Sequence, residues 1–282
     1  MIEFNTAYSF TQVPYATYEA LEGYALDLIK DYAPQLLHFP NALDIEDFVR
    51  SYLGMILEYI DLKRFGDFRA LTVFHDSILH SIIADGDDQA DTISIPLQAG
   101  TLLIDSSLTL SRERRRYRYT LGHESSHWLL HRRAFAKGNP FSQIGIYGHP
   151  YLAASQSRTC YRTSQKERDD HQRMENQANY LSAALLMPQT AVEAVCRNYF
   201  QQIGETPRLL QPMDNPKDKD MALVLAEICA DVFDVSKQAA GIRLERLRYL
   251  AKASYYPAMT EPLQCVADRQ SSQAQALASY TR

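Results

Sequence analysis

Tyr119–His131, YTLGHESSHWLLH, sets His123 and His127 four residues apart, with Glu124 directly after the first histidine. On an α-helix, positions i and i+4 differ by about 40° in azimuth and about 6 Å in rise, so the two imidazoles project side by side and can chelate one ion. Glu124 then stands where its carboxylate reaches a water at the metal without being a ligand itself. Histidines also fall at this spacing by accident on amphipathic helices, so the surrounding sequence has to decide.

Two imidazoles leave a catalytic zinc one protein ligand short. The H-x-x-G-x-x-H extension that would supply it from the same segment is absent, because Leu130 and Arg133 stand at its glycine and histidine positions. His131 lies two turns beyond His123, too far along the helix to share the ion. The third ligand must come from another segment. ENQANYLSAALLMP, residues 175–188, offers Glu175 on a helix that also carries the small residues Ala178, Ser182 and Ala183, which permit close approach to the histidine helix. Asn179, one turn after Glu175, is placed to accept the free N–H of a ligating imidazole and so fix its ring.

Outward from these two helices, residues 15–30 repeat apolar side chains at helical spacing through Tyr18, Leu21, Ala25 and Leu28, with Pro34 as a stop. Asp44 is an N-cap candidate for a second helix, IEDFVRSYLG, which Gly54 closes. From Met55 to Asp105 the period shortens: MILEYI, RALTVFH and TLLID predict a small, mainly antiparallel sheet. The acidic turn Asp85–Asp91 lacks EF-hand spacing and reads as a solvated loop. The active-site helix is expected from about Ser111 to Arg132, and the glutamate helix from about Arg168 to Met187, ended by Pro188. Between them, residues 137–167 read as a long loop with no assigned role. Two more helices follow the polar stretch Glu205–Asp220, the second capped by Ser236, and the polar tail at 257–282 is expected to be partly disordered.

The organisation expected is therefore α+β: a domain at 1–190 (helices at 15–54, sheet at 55–105, active-site helices at 111–188) and a helical segment at 191–256. The net charge of -5 argues against wholesale attraction to nucleic acid. Arg112, Arg114, Arg115, Arg116 and Arg118 form a basic run entering the active-site helix, which reads as a solvated face, with steering of acidic segments as a further use. The pair of helices joined at Asp234–Ser236 has a helix-turn-helix outline and carries Arg243, Arg246 and Arg248. Ile242, Leu244, Leu247 and Leu250 nevertheless form a core stripe, so packing is expected rather than direct nucleic-acid binding. Cys160, Cys196, Cys229 and Cys265 form no C-x-x-C pair. No secretory signal and no apolar run of about 18 residues is found, so the expected compartment is the cytoplasm, with no membrane partner.

RYRYTLGHESSHWLLHR followed by MENQANYLSAALLMP resembles the ImmA/IrrE family of bacterial and phage metallopeptidases. GTLLIDSSL, residues 100–108, is similar to that family's strand before the active-site helix. The resemblance is strong over residues 101–190, weaker over 15–100, and weak again near 222–250. It implies a zincin-like fold, one Zn2+ per chain held by His123, His127 and Glu175, Glu124 as catalytic base, and cleavage of a helix-turn-helix repressor as the function. Ser126 departs from the glycine common between the two histidines, and the 137–167 insertion exceeds the family's usual connection. Tyr147, His149, Tyr151 and His171 are candidates for oxyanion or substrate contacts. The competing reading is a non-catalytic, zinc-stabilised regulator that binds a repressor or DNA.

Overall fold

The computed structural model describes residues 2–65, 68–80, 94–139, 146–148 and 165–251. Helix α1, Tyr18–Tyr32, starts where the Thr17 hydroxyl accepts from the Ala20 amide at 3.1 Å and ends at Ala33, before Pro34. It turns Leu21, Tyr24, Ala25, Leu28 and Ile29 into the core. The Asp44 carboxylate caps α2, Ile45–Asp47, by accepting from the Asp47 amide at 3.1 Å. The continuous helix expected after it instead widens into a π-turn, Phe48–Tyr52, and stops at Gly54, whose φ of 68° is the left-handed conformation that glycine adopts without strain.

The sheet consists of β1 (Ile56–Ile60), β5 (Thr101–Asp105), β2 (Ala70–Val73) and β6 (Ile146–Gly148), in the order β1-β5-β2-β6. β1 and β5 run parallel, and the other two pairs are antiparallel. A separate antiparallel ribbon joins β3, Ser77–His80, to β4, Ser94–Leu97. The mixed α+β architecture and the mainly antiparallel pairing match the expectation. β6 does not, because it arises inside the segment expected to be loop. Three residues are too few to show alternation, and the partner that makes them a strand lies about seventy positions away in β2.

Register decides which side chains face the helices. Ala70 pairs with Ile104 and Thr72 with Leu102, so these four share one face, while Leu71 pairs with Leu103 on the other. The first face joins the main core with Leu121, Leu129 and Leu130; the second packs with Leu62, Val73 and Leu97. Thr72 is thus the polar residue of β2 aimed at the helical layer.

That layer is α3, Arg114–Phe135, packed along α4, Gln165–Leu186. Pro188 ends α4 as expected but also opens α5, Gln189–Gln202, which the sequence reading did not separate from the helical segment around it. Next come α6, Pro216–Phe233, capped by Asn215, and α7, Lys237–Arg246, capped by the Ser236 hydroxyl at 3.0 Å from the Ala239 amide. The acidic turn Asp85–Asp91 and the 257–282 tail lie outside the described residues.

Three arginines of the basic run, and Arg243 of the second basic group, turn out to be cross-links. Arg114 meets Asp234 at 2.6 Å and Arg115 meets Asp231 at 2.8 Å, while Arg118 donates to the Asp234 carbonyl at 3.0 Å. Arg112 and Arg116 pair with Glu113. The run is solvated as expected at Arg112 and Arg114, which are mostly exposed, but the end of α6 supplies Arg114, Arg115 and Arg118 with carboxylates. Arg243 is only 2% exposed; it donates to the Met187 carbonyl at 3.0 Å and to both carboxylate oxygens of Glu22. Leu244 and Leu250 are buried beside it, in keeping with packing of α7 against the domain. Replacing Arg243 with Met would leave Glu22 without its buried cation, and the loss of stability should be about 3 kcal/mol. Urea unfolding measures it; a midpoint equal to wild type would show that this cross-link contributes nothing.

Candidate metal centre

Helical geometry stacks Tyr119, His123, His127 and His131 along one stripe of α3, each one turn from the next. The stripe faces α4, and the helices approach closely because the contact residues are small. A Cβ added at Gly122 would stand 2.6 Å from the Ser182 hydroxyl, and Ala178 is fully buried nearby. Ser126, where the resembled family commonly has glycine, fits because its hydroxyl turns back to donate to the Gly122 carbonyl at 2.6 Å.

This approach carries Glu175 to the two histidines. The Nε2 atoms of His123 and His127 are 3.1 Å apart; Glu175 Oε2 is 3.4 Å from the first and Oε1 3.4 Å from the second. A tetrahedral ion with bonds of about 2.0–2.1 Å spans edges of about 3.3 Å between its donors, so each histidine stands at donor spacing from the other and from one of the two Glu175 oxygens. All three residues are buried, at 5%, 1% and 6% exposure. They form a group that could hold a metal ion, drawn from two different helices.

Electrostatics bind the group together. Burial alone would depress the pKa of His123, but the Glu175 carboxylate outweighs it and holds the imidazole above its ordinary value. Burial alone would raise the Glu175 carboxyl, yet hydrogen bonds and charge from His123 and His127 hold it far below the usual carboxylate range. Deeper in, burial pushes His131 well below the ordinary histidine pKa.

Glu124 is 2% exposed and is not one of the three donors. Thr72 Oγ1 donates to its Oε2 at 2.7 Å, so the sheet positions this carboxylate. Sequence reasoning missed Thr72; its signal, a polar residue in an otherwise apolar strand, was present in RALTVFH.

Asn179 lies in the same layer. Its amide oxygen accepts from the Tyr119 hydroxyl at 2.7 Å and, facing His123, contributes to the elevated pKa of that ring. The other ring, His127, meets His131 instead, Nδ1 to Nδ1 at 3.0 Å. The sequence reading set His131 aside as too distant to share an ion; it is not among the donors, yet it contacts one of them. His171 is half-buried on α4, one turn before Glu175. Tyr147 sits opposite Thr72 in the β6–β2 ladder through its backbone. His149 and Tyr151 lie outside the described residues.

Comparison with protein-family models gives no match to this chain, and a search of curated proteins returns no similar sequence. Among the described residues, no helix is long and apolar enough to cross a membrane.

A metal entering this group must displace the proton that Glu175 helps His123 retain. The raised His123 pKa means that the ring gains its proton as pH falls through that value, so metal affinity should fall in the same direction. Cobalt(II) titration should give about one ion per chain at mildly alkaline pH and progressively weaker binding as the pH is lowered. His123→Ala or Glu175→Ala should abolish most of it. Unchanged binding in Glu175→Ala would remove the carboxylate from the ligand set.

Proposed function

We propose that this chain is a zinc-dependent endopeptidase of the ImmA/IrrE type that cleaves a helix-turn-helix transcriptional repressor. The observation that carries the reading is Glu124: a buried carboxylate beside a two-histidine, one-glutamate group, outside that donor set and held at a fixed orientation by a strand hydroxyl. A purely structural zinc site is normally closed by four protein donors and needs no additional carboxylate. Two imidazole nitrogens and one carboxylate oxygen form a donor set suited to zinc, and it matches that of known catalytic zinc hydrolases.

Bound zinc supplies Lewis-acid polarisation of a scissile carbonyl and of a water molecule. Glu124 takes the proton from that water as it attacks and passes it to the departing amine, so the bond between carbonyl carbon and nitrogen breaks with no net change in protonation of the enzyme. Thr72 donates to Oε2, which holds the carboxylate in place for this transfer. Glu175 and the two histidines hold the reacting centre in place. The family resemblance alone supplies the substrate class; the zincin-like fold and a cytoplasmic setting belong to the same proposal.

Glu124→Gln should retain its metal and lose peptidase activity by about 10²–10⁴-fold, because the amide packs in the same space but accepts no proton. Purified repressors incubated with wild type and with this variant, with fragments mapped by mass spectrometry, provide the test. Cleavage by wild type alone supports the reading. Hydrolysis at the wild-type rate by Glu124→Gln removes Glu124 as base. Intact repressors with altered operator binding would favour a non-catalytic regulator, and free digestion of unstructured peptides a general protease.

A further inference from the structure

Beyond the candidate donors, the hydrogen bonds continue inward along a single line. His127 Nδ1 meets His131 Nδ1 at 3.0 Å, His131 Nε2 meets Gln177 Oε1 at 3.0 Å, and Gln177 Nε2 meets the Pro14 carbonyl at 2.6 Å. His127, His131 and Gln177 are all buried, so no bulk water rearranges these partners.

The direction of each bond follows from its far end. A carbonyl only accepts, so the Gln177 amide must turn its NH2 toward Pro14 and its oxygen toward His131. That oxygen also only accepts, so His131 must carry its proton on Nε2. A buried imidazole whose partner is an amide rather than a carboxylate is neutral, which leaves its Nδ1 as an acceptor. His127 must then donate from Nδ1, so Nε2 is the nitrogen whose lone pair an ion shared with His123 and Glu175 would take. The opposite tautomer would place a proton on Nε2 and block any ion there.

The Pro14 carbonyl is itself immobilised. Tyr8 and Pro14 bridge the two arms of a tight hairpin, and the Ser9 and Thr11 hydroxyls reach the Asp170 carboxylate on α4. Val13, at its base, packs with Ala134, Phe135 and Met174 from α3 and α4. The hairpin thus spans the helix pair next to the donor set.

We propose that His131 and Gln177 are positioning residues that fix the His127 tautomer for metal binding, anchored on the Pro14 carbonyl, so that the hairpin at residues 8–14 and the metal centre are energetically coupled. This rests on the metal centre being real, but not on peptidase activity. Second partners of ligating histidines typically contribute about 10–100-fold in metal affinity.

The test uses cobalt(II), with affinity read by competition against a chromophoric chelator and geometry by the visible absorption of the bound ion. His131→Leu removes the acceptor for His127 and should weaken binding about 10–100-fold and shift the cobalt bands; His131→Asn keeps an acceptor oxygen near the Nδ1 position and should recover affinity to within about threefold. Gln177→Leu, the check should His131→Leu fold poorly, should weaken binding in the same direction. Cobalt should slow hydrogen exchange at the Ser9 and Gln12 amides in wild type, and Gln177→Leu should abolish that slowing. Wild-type affinity in His131→Leu, no recovery in His131→Asn, or equal cobalt protection of the hairpin in Gln177→Leu and wild type would each overturn the proposal. A wild-type chain that binds cobalt but cuts no repressor defeats the peptidase reading and leaves this inference standing. One that binds no cobalt defeats both.

Discussion

Everything at the centre depends on how closely α3 and α4 can pack. The Nε2 atoms of His123 and His127 are brought together by the pitch of one helix, but Glu175 reaches them only because Gly122 presents no side chain to Ser182. Helix axes typically stand about 8–10 Å apart, according to the side chains at the contact. A β-branched residue at position 122 would push α4 outward, and the 3.4 Å contacts of Glu175 would open without any donor being changed. The site is thus a product of packing first and of ligand chemistry second.

The sheet makes a smaller but separate contribution. Because side chains alternate along β2, a shift of one residue in its register against β5 would turn Thr72 away from α3 and bring Leu71 toward it. The buried Glu124 carboxylate would then lose its hydroxyl partner. Pairing on both sides of β2 pins that register, by β5 on one side and β6 on the other. The C-terminal helices act from the far end. Arg243 ties α7 to Glu22 on α1 and to the carbonyl that follows α4, and Asp234 collects three of the arginines entering α3, Arg114, Arg115 and Arg118. Arg114, Arg115, Arg118 and Arg243 thus spend their charge on partners within the chain.

Much of this was legible in the sequence because the informative residues are close together in it. His123 and His127 share one helix, Glu175 sits on a second helix with its own strong periodicity, and Asp44 and Ser236 cap helices only three residues ahead. The parts that escaped depend on distant partners. The Asp170 contacts with Ser9 and Thr11 join residues 161 and 159 positions apart, and no local pattern announces them. β6 is a strand only because β2 is there to pair with it. His131 escaped for a different reason: it was considered only as a ligand, and its actual neighbour is a ligand's back nitrogen. Pro188 was read as a stop, although proline is as well suited to opening a helix as to closing one.

The placement of β6 has a consequence for anything extended that approaches the sheet from the flank next to β2. β2 carries Thr72 yet has no backbone edge to offer, because Leu71, Thr72 and Val73 are already matched to Gly148, Tyr147 and Ile146. A polypeptide joining the sheet on this side by strand addition would therefore lie against β6 and add a fifth strand, one strand spacing, about 4.8 Å, further from Thr72 than if β2 were the border. Among the described residues the outermost strand on this flank belongs to the 137–167 insertion and not to the core strands, so its three residues would set both the register and the distance at which such a guest is held.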